Sequence, residues 1–345
     1  MANTTTIDQN FNGKVAIIIT HKTSTGYELI KPIVEDGIKW ETERQGSPGK
    51  LTFKVYDSKN NGLNIQEGDG VTLRYSYTNI DTDYVNLFMG YVFTKKRDKD
   101  GWINITAYDL LRYLKNKSTY VYKNKKASDV VKMIANDFKL DIGAIESTSY
   151  VIGERVEDNQ SLFDIIQNAI DLTLIHTNKQ YVLYADRNKL YLSNIMTRLS
   201  SGIVITNSSA ENFDYTSSID EETYNEIELY YDNKETNKRE YYHAADARNI
   251  GSWGILKHTE QVQSTSNIKD RVKQMLNLYN RKTKKLSVKN AFGNIYARGG
   301  TLIPVQLNLG DIVINNNMVI EKATHTFSAN EYRMDLTLSD GVFTA

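Results

Sequence analysis

The stretch that decides the fold is Gly68-Asp69-Gly70-Val71-Thr72-Leu73-Arg74-Tyr75-Ser76-Tyr77. Its first three residues are a turn signal, because glycine and aspartate accept backbone conformations that most residues avoid. Apolar or aromatic side chains then stand at every second position, namely Val71, Leu73, Tyr75 and Tyr77. A period of two is typical of a strand with one buried face, since successive side chains of a strand point to opposite faces. The stretch therefore predicts a sheet.

Strand patterns continue on both sides of this stretch. They lie at Val15–Ile19, Leu51–Val55, Leu87–Phe93 and Trp102–Thr106. The charged tract Lys95–Asp100, just before Gly101, indicates the tip of a hairpin. Helical periodicity is weak throughout, so residues from about 13 to 108 are predicted as one β-rich domain.

A second glycine-aspartate turn occurs near the C-terminus, at Gly310-Asp311-Ile312-Val313. Strand segments follow the two turns in the same order: Phe88–Val92 and Trp102–Tyr108 after the first, Met318–Glu321 and Tyr332–Leu338 after the second. The tetrapeptide alone is common in turns, and the recurring order of strands is the better indication. We therefore expect a second copy of the β domain, in which Gly310-Asp311 is equivalent to Gly68-Asp69.

The middle of the chain changes to helical spacing. Apolar residues between Val130 and Phe138 fall on one helical face. Ser161 and Asp164 fit a capping box, in which the hydroxyl and the acid satisfy free amides of the first turn. A hairpin follows at Tyr181–Leu192, so residues from about 113 to 205 are predicted as a small α+β domain.

One helix is predicted in the last third. Asn267 is its expected N-cap, with Asp270 three residues later. Its apolar stripe consists of Ile268, Val272, Met275, Leu276 and Tyr279. The basic run 281–285 suits its C-terminal end, because positive charge complements the helix dipole there.

The composition disfavours several classes of protein. The chain has 345 residues, 42 basic and 42 acidic side chains, 40% hydrophobic residues and no cysteine. Without cysteine there is no disulfide framework, thiolate metal site or cysteine nucleophile. No apolar run approaches the roughly 18–20 residues that span a bilayer, and Met1 to Asn12 contains no signal-peptide core, so no membrane partner is expected. The neutral charge balance disfavours specific nucleic-acid binding, which needs a basic surface.

Residue types that support catalysis are present but are not arranged for it. The five histidines include no pair at the spacing of a zinc-binding helix: His21, His176, His243, His258 and His325. The densest acidic cluster, Asp220 to Glu228, has no accompanying aromatic pattern of a sugar subsite. Gly251–Gly254 lacks the spacing of a nucleophile elbow, and Gly299-Gly300 lacks the Lys-Ser/Thr of a phosphate loop. We predict no enzyme activity, no cofactor and no metal site.

Several degenerate motifs follow one another in a recognisable order. Phe88–Val92 and Ile103–Leu114 carry phenylalanine-x-glycine and then threonine-alanine-x-aspartate. Later segments are Ser161–Ile166, Tyr181–Leu192, Tyr224–Ile227, Trp253–Leu256, residues 267–285, His325 with Phe327, and Tyr332–Leu336. Taken in order over residues 13–340, they resemble phage baseplate hub proteins of the late-control gene D type. That family includes the contractile-tail hubs of prophages and of phage-tail-like bacteriocins (tailocins).

The resemblance implies an α+β fold that is mainly β, with two related tube-type β-barrel or sandwich domains and two smaller α+β accessory domains. The implied units are the first tube-type domain at 1–112, an α+β accessory domain at 113–205, the second tube-type domain at 206–235 and 286–345, and a helix-bearing insertion at 236–285.

The resemblance also implies a structural role in a virion or tailocin baseplate assembled in the bacterial cytoplasm. Three chains with two tube-type domains each would form a pseudo-sixfold ring, a symmetry adapter between the sixfold tail tube and the threefold central spike. The implied partners are the chain itself as a homotrimer, the central spike protein, the tail tube or a tube-initiator protein, and other baseplate proteins.

The 23 tyrosines suit subunit interfaces, because a tyrosine ring buries area while its hydroxyl keeps a hydrogen bond. We expect contacts at the two turns and their strands, at Tyr75, Tyr77, Gly68, Asp69, Gly90, Tyr91, Gly310 and Asp311. An alternative function is a carbohydrate-binding or adhesin β module of a phage particle. The tyrosine content and the three tryptophans, Trp40, Trp102 and Trp253, favour that alternative.

Overall fold

The protein is mainly β, as the sequence predicted. The computed structural model describes residues 14–57, 63–76, 83–262, 265, 267–310, 313–328 and 331–340. Within these residues the strands form one sheet of 13 strands and three small sheets. Tyr77 and Asp311, two of the predicted contact residues, lie outside the described residues.

The first third supplies seven antiparallel strands of the large sheet. They are β1 (Lys14–Thr23), β2 (Gly26–Ile30), β3 (Ile38–Glu43), β4 (Lys50–Tyr56), β5 (Gly70–Ser76), β6 (Val85–Arg97) and β7 (Trp102–Tyr108). They lie side by side in the order β3-β4-β7-β6-β5-β1-β2. The alternation predicted for β5 is confirmed, because Val71, Leu73 and Tyr75 are all buried.

A small α+β unit follows. Its elements are a 3₁₀ helix (Leu110–Lys115), β8 (Lys117–Lys125), α1 (Ala127–Asp137), β9 (Ile142–Ile145), β10 (Ile152–Ser161), α2 (Leu162–Thr177), β11 (Tyr181–Asp186), β12 (Lys189–Asn194) and a short 3₁₀ helix (Ile195–Thr197). The apolar faces of α1 and α2 share one hydrophobic core with the β11–β12 hairpin.

The cap of α2 forms partly as predicted. The Ser161 hydroxyl oxygen accepts a hydrogen bond from the Asp164 backbone N–H at 3.1 Å. The Asp164 carboxylate then accepts from the Ser161 hydroxyl at 2.6 Å, rather than from a free amide. The helix begins where the serine places it, and it ends at Asn178, which adopts the left-handed conformation common after helices.

The last part of the chain contributes to two sheets. Its elements are β13 (Ile205–Thr206), β14 (Asn212–Ser218), β15 (Glu226–Asn233), β16 (Lys238–Ala245), α3 (Ala247–Trp253), β17 (Lys257–Gln261), α4 (Ile268–Tyr279), β18 (Thr283–Phe292), β19 (Leu302–Asn308), β20 (Val313–Phe327) and β21 (Tyr332–Asp340). Strands β13, β14 and β18 to β21 join the large sheet, whereas β15, β16 and β17 form a separate sheet covered by α4.

Three details differ from the sequence-based expectation. Strand β15 was placed with the second β domain, but it pairs with β16 and β17, because Ile227 and Leu229 bury themselves under α4. The sequence pattern predicts separate strands at Ile312–Ile314 and Met318–Thr326, but residues 313–327 form one long strand, β20, and Ile312 lies outside the described residues. Asn267 precedes α4 as expected, but its side chain makes no capping hydrogen bond.

The two β regions are joined by pairing between β3 and β20. Six residue pairs, from Lys322 with Glu43 to Phe327 with Ile38, connect the strands antiparallel. On one face, Lys322 forms a 2.9 Å ion pair with Glu43. On the other, the fully buried ring of His325 stacks on Trp40 with 4.8 Å between centroids. We call this β3–β20 pairing the seam; it makes one continuous sheet of both regions.

The two regions repeat one strand arrangement. In the first, a row of directly paired residues crosses β3, β4, β7 and β6: Trp40, Leu51, Ala107 and Val92. In the second, an equivalent row crosses β14, β18, β21 and β20: Tyr215, Leu286, Leu338 and Ile320. A register shift follows Val92 in β6 and Ile320 in β20. The structure thus shows β3, β4, β5, β6 and β7 repeated as β14, β18, β19, β20 and β21.

The repeat changes which turn matches Gly68-Asp69. Val92 donates its N–H to the Asp69 carbonyl at 2.9 Å and accepts from the Gly68 N–H at 2.8 Å. Ile320 makes the same two bonds, at 2.9 and 2.8 Å, with Thr301 and Gly300. The counterpart of Gly68-Asp69 is therefore Gly300-Thr301, and the equivalence predicted with Gly310-Asp311 was wrong. Gly310 instead follows β19, before β20.

Replacing Trp40 with alanine tests how much the seam stabilises the chain. The ring is 2% exposed and stacks across the seam, so Trp40→Ala should lower the free energy of unfolding by about 3–5 kcal/mol. Denaturant unfolding monitored by circular dichroism measures the change. Trp102→Ala is the control, because Trp102 is only partly buried and lies away from the seam. Equal losses in the two variants would contradict a stabilising seam.

Candidate assembly surfaces

Asp69 shapes its own turn rather than facing outward. Its carboxylate accepts the Gln66 backbone N–H at 2.7 Å and lies 2.9 Å from Nδ1 of His21. Both Asp69 and His21 are buried. Gly68 is exposed and has a φ of +93°, a conformation that glycine adopts without strain. The turn therefore presents Gly68, and not the carboxylate, to the surface.

Tyr75 lies inside the chain, where the two β regions meet. Its side chain is 3% exposed, and its ring packs against Tyr332 at 5.5 Å and Phe327 at 6.0 Å between centroids. Burial raises the pKa of its hydroxyl to about 12, so Tyr75 stays protonated. Its contacts belong to the core beside the seam, which leaves the ring little surface for another subunit.

Gly90 and Tyr91 make the contacts of β6 with β7 and with the α+β unit, respectively. A Cβ on Gly90 would lie 2.2 Å from the Tyr108 carbonyl oxygen, so only glycine fits between these strands. The Tyr91 hydroxyl accepts a 3.1 Å hydrogen bond from the Asn188 amide in the β11–β12 turn. Its ring meets Tyr113 edge-on, with 6.3 Å between centroids. These two residues fix one part of the chain to another.

The six predicted contact residues that fall within the described ranges lie at different places in the fold. Gly310 is exposed with a φ of +93°, in the β19–β20 hairpin. Gly68 and Asp69 precede β5, Tyr75 lies in the core, Gly90 packs against β7, and Tyr91 faces the α+β unit. Sequence reasoning grouped these residues because they share turn and strand signals, and such signals do not report which surface a strand end faces.

A cleft lined by arginines was missed by sequence reasoning. Arg298 lies over the Trp40 ring at 4.8 Å, and its guanidinium is 3.4 Å from the Asp186 carboxylate. Arg198 lies 3.5 Å from the centroid of Tyr184 and donates to the Gly300 carbonyl at 3.2 Å. The two arginines come from segments about 100 residues apart, so no local sequence motif could predict that they share a cleft. They tie the β11–β12 hairpin to the seam and to the glycine turn of the second repeat.

Two buried titratable groups serve the structure. Burial lowers the pKa of His325 to about 3, so its ring is neutral. Its Nε2 donates to the Ala297 carbonyl at 2.9 Å, and its Nδ1 accepts from the Tyr332 hydroxyl at 2.9 Å. Burial also raises the pKa of Asp109 to about 7, although its carboxylate accepts the backbone N–H groups of Gly49 and Leu111. The Asp109 carboxyl lies at the cleft that Arg198 and Arg298 line.

The remaining histidines and acids are also engaged elsewhere. His176 stacks on Tyr150 with 4.1 Å between ring centroids. Lys257 bridges Glu226 and Glu228 at 3.3 and 2.9 Å, so these carboxylates are ion-paired. Within the described ranges, no group of three or more metal-ligating side chains is found. The helices of the described residues include none that is long and apolar enough to span a bilayer.

The three tryptophans do not form a sugar-binding platform. Trp40 is buried at the seam, and Trp102 packs against Tyr56 at the start of β7. Trp253 lies at the end of α3, the helix between β16 and β17. Neighbouring exposed rings would be needed for a sugar platform, and among the described residues no ring contact joins any two of these tryptophans.

Comparison with known proteins places this fold. The model of the family described as YqbQ-like matches residues 38–339. The chain belongs to the YqbQ-like family. It is 26% identical over 327 residues to the uncharacterized protein YqbQ of Bacillus subtilis, covering 90% of this chain and 95% of that protein. It is 25% identical over 324 residues to the phage-like element PBSX protein XkdQ of the same organism, with the same coverage.

Solved structures agree on the fold of this YqbQ-like protein. The 43 kDa tail protein of prophage MuSo2 from Shewanella oneidensis superposes with a TM-score of 0.66 at 10% identity, over 94% of this chain and 98% of that chain. The Escherichia coli protein c3393, a type VI secretion component described as similar to the T4 tail proteins gp27 and gp5, gives 0.52 at 10% identity over 90% and 74%. The described fold is that of phage tail and related secretion-system proteins.

Neutral His325 predicts a loss of stability in acid. Below pH 6.5 this histidine becomes protonated in the unfolded chain. In the folded chain, where its pKa is about 3, it stays neutral, so acid favours the unfolded state. Stability from this residue is thus fully present above pH 6.5 and falls by about 2 kcal/mol at pH 5. His325→Gln should flatten the unfolding free energy between pH 7.5 and 5 relative to the native chain.

His243→Gln is the control for this pH experiment, because His243 is half exposed beside Glu226. It measures the effect of replacing a partly exposed histidine by glutamine, against which the His325 variant is compared. The raised pKa of Asp109 makes the folded state more stable as the pH falls, which opposes the effect of His325. Asp109 is present in the native chain and in both variants, so its contribution cancels in the comparison. If the unfolding free energy of the His325 variant changed with pH as steeply as that of the native chain, His325 would not be a neutral buried histidine.

Gly90→Ala tests the close contact between β6 and β7. The added Cβ would meet backbone, which cannot move aside cheaply, so we expect a loss of about 1–3 kcal/mol in unfolding free energy. Gly153→Ala is the matched control, since nothing lies within 4 Å of its Cβ position. Chemical denaturation of both variants measures the difference, and a stable Gly90 variant would show that the strands can separate.

Proposed function

We propose that this protein is the structural hub of a contractile phage tail or tailocin baseplate. The observation that carries the proposal is the internal repeat: one chain holds two copies of a β arrangement, joined by the seam into one sheet. A chain with two equivalent units is what a threefold assembly needs to present six similar surfaces. Three copies would form a pseudo-sixfold ring that adapts the sixfold tail tube to the threefold central spike.

We propose a separate role for each type of unit in the chain. The tube-type domains at 1–112 and at 206–235 with 286–345 would form the ring, with β15 now assigned to the insertion by its pairing. The accessory unit at 113–205 has a hydrophobic core, and the insertion packs on a second one that also takes in β15 and Ile175 of α2. We propose that these units face the spike and other baseplate proteins, while the ring faces the tail tube or its initiator.

The proposed role is not catalytic and uses no cofactor. In the described structure, the histidines and the acid cluster are engaged in stacking, ion pairs and buried hydrogen bonds. We place the protein in a virion or tailocin particle assembled in the bacterial cytoplasm. Membrane and specific nucleic-acid partners are not part of the proposal.

The eight predicted contact residues take different parts in this proposal. Gly68 and Gly310 are exposed turn positions, and with Tyr77 and Asp311 we keep them as proposed contact points. Asp69, Tyr75, Gly90 and Tyr91 would act indirectly, because their contacts lie within the chain and hold those turns and strands in place.

The copy number tests the proposed hub. The chain is co-expressed with the central spike protein and with the tail tube protein of its particle, and the complexes are weighed by native mass spectrometry. We expect three copies of this chain for each trimeric spike. A stable monomer that joins neither partner would contradict the proposal, whereas a monomer in isolation would not, since assembly can depend on the partner.

A further inference from the structure

The internal repeat leaves one strand edge without its equivalent partner. The second half of β20, Lys322–Phe327, pairs with β21 on one side and with β3 on the other. The counterpart of β20 is β6, and its matching segment is Thr94–Arg97. Those residues pair with β7 on one side. No strand of the described residues lies along their other side, and all four side chains are exposed.

A second edge lacks its equivalent partner in the same way. Strand β3 pairs with β4 and, across the seam, with β20. Its counterpart β14 pairs only with β18 and ends the large sheet, as far as the described residues go. The chain thus uses one β3-type edge and one β20-type edge in its own seam. Among the strands that the structure describes, one edge of each type stays open.

We propose that β14 of one copy pairs antiparallel with residues Thr94–Arg97 of a second copy, in the geometry of the seam. The proposal rests on the ring of the proposed function and names the contact that would close it. Each chain would offer β14 to one neighbour and β6 to the other. An interface between two different surfaces closes a ring when the rotation between copies fits, and otherwise continues as a filament.

The register follows from the equivalent rows. Lys322 is the first paired residue after the register shift that follows Ile320, and Thr94 is the first after the shift that follows Val92. Thr94 is therefore the counterpart of Lys322. Glu43 lies three residues beyond Trp40, as Ser218 lies three beyond Tyr215. Because Lys322 pairs with Glu43 in the seam, the intermolecular pairs are Thr94 with Ser218, Lys95 with Ser217, Lys96 with Thr216, and Arg97 with Tyr215.

The side chains suit this register. Lys95, Lys96 and Arg97 would face hydroxyl-bearing residues of β14, so no like charges oppose one another. Arg97 already forms an ion pair with Asp57 of its own chain, and Tyr215 would lie opposite it at the position where the seam has Trp40 opposite His325. Lysines on an exposed edge also hinder pairing with unrelated strands, so the edge is protected until its partner is present.

The loop beside β6 leaves room for the incoming strand. The Lys95 ammonium donates to the Ile65 carbonyl at 2.6 Å. In the second repeat, His325, which stands two residues beyond the counterpart of Lys95, makes a comparable bond to the Ala297 carbonyl at 2.9 Å. Ile65 and Ala297 each stand three residues before the matching glycines, Gly68 and Gly300. Since the loop of the second repeat does not prevent β3 from pairing with β20, the loop of the first repeat should not block β14.

Cysteine cross-linking tests the pairing in a chain that has no cysteine of its own. The full-length Lys96→Cys/Thr216→Cys double variant is co-expressed with the central spike protein, because assembly can depend on it. The complex is concentrated and oxidised, and its products are separated on a non-reducing denaturing gel. Directly opposed cross-strand positions bring Cβ atoms close enough for a disulfide. We expect the monomer band to be lost in favour of covalent oligomers that end at the trimer.

Three controls make the result specific. Glu41→Cys/Thr324→Cys marks the same pair within the seam and should close inside one chain, leaving a monomer without free thiols. Lys95→Cys/Thr216→Cys places the two thiols on opposite faces and should give far less oligomer. Thr216→Cys alone should give at most dimers, through random collision.

The outcomes separate this proposal from the proposed hub. If the seam control closes and the Lys96/Thr216 pair does not, the strand pairing is wrong, whatever mass spectrometry shows for the hub. If trimers form on spike binding but this pair still fails to cross-link in them, the hub stands and the pairing falls. Covalent chains that continue past three would support the pairing and contradict the three-copy ring.

Discussion

The pairing of β3 with β20 is the interaction on which the rest of the structure depends. It brings together strands separated by almost the whole chain, since Lys322 and Glu43 are 279 positions apart. Its buried face holds Trp40 and His325, and its exposed face holds the Lys322–Glu43 ion pair. Because exposed ion pairs contribute little, burial of the rings and backbone pairing must supply most of the stabilisation. Removing the seam would leave two smaller sheets with open edges.

The seam also explains why the interior of the molecule carries so many polar contacts. His325 is satisfied by Ala297 and Tyr332, and Arg298 is held by Asp186 and the Trp40 ring. A buried polar group is costly unless its hydrogen bonds are met, so these groups fix one relative placement of the units. They are positioning groups, and that is consistent with a protein whose proposed task is to hold other proteins in register.

Repetition within one chain has a physical consequence for its edges. A repeated unit that pairs with its own copy through two different edges necessarily leaves one edge of each type unused. Exposed edges aggregate unless they are protected or occupied, and a closed ring occupies all of them. The Lys95 and Lys96 side chains on the open half of β6 are the kind of protection that keeps such an edge soluble before assembly.

Local sequence determined the local structure of this protein. The alternation of Val71, Leu73 and Tyr75 predicted β5, and Ser161 with Asp164 located the start of α2, because strand period and helix capping act over a few residues. Tertiary structure alone decided that β15 leaves the second β region, that Gly300 and not Gly310 matches Gly68, and that Arg198 and Arg298 share a cleft. Each of these depends on pairing or packing between segments far apart in the chain, where many partners satisfy the same local pattern. Only burial and hydrogen bonding in the complete fold choose among them.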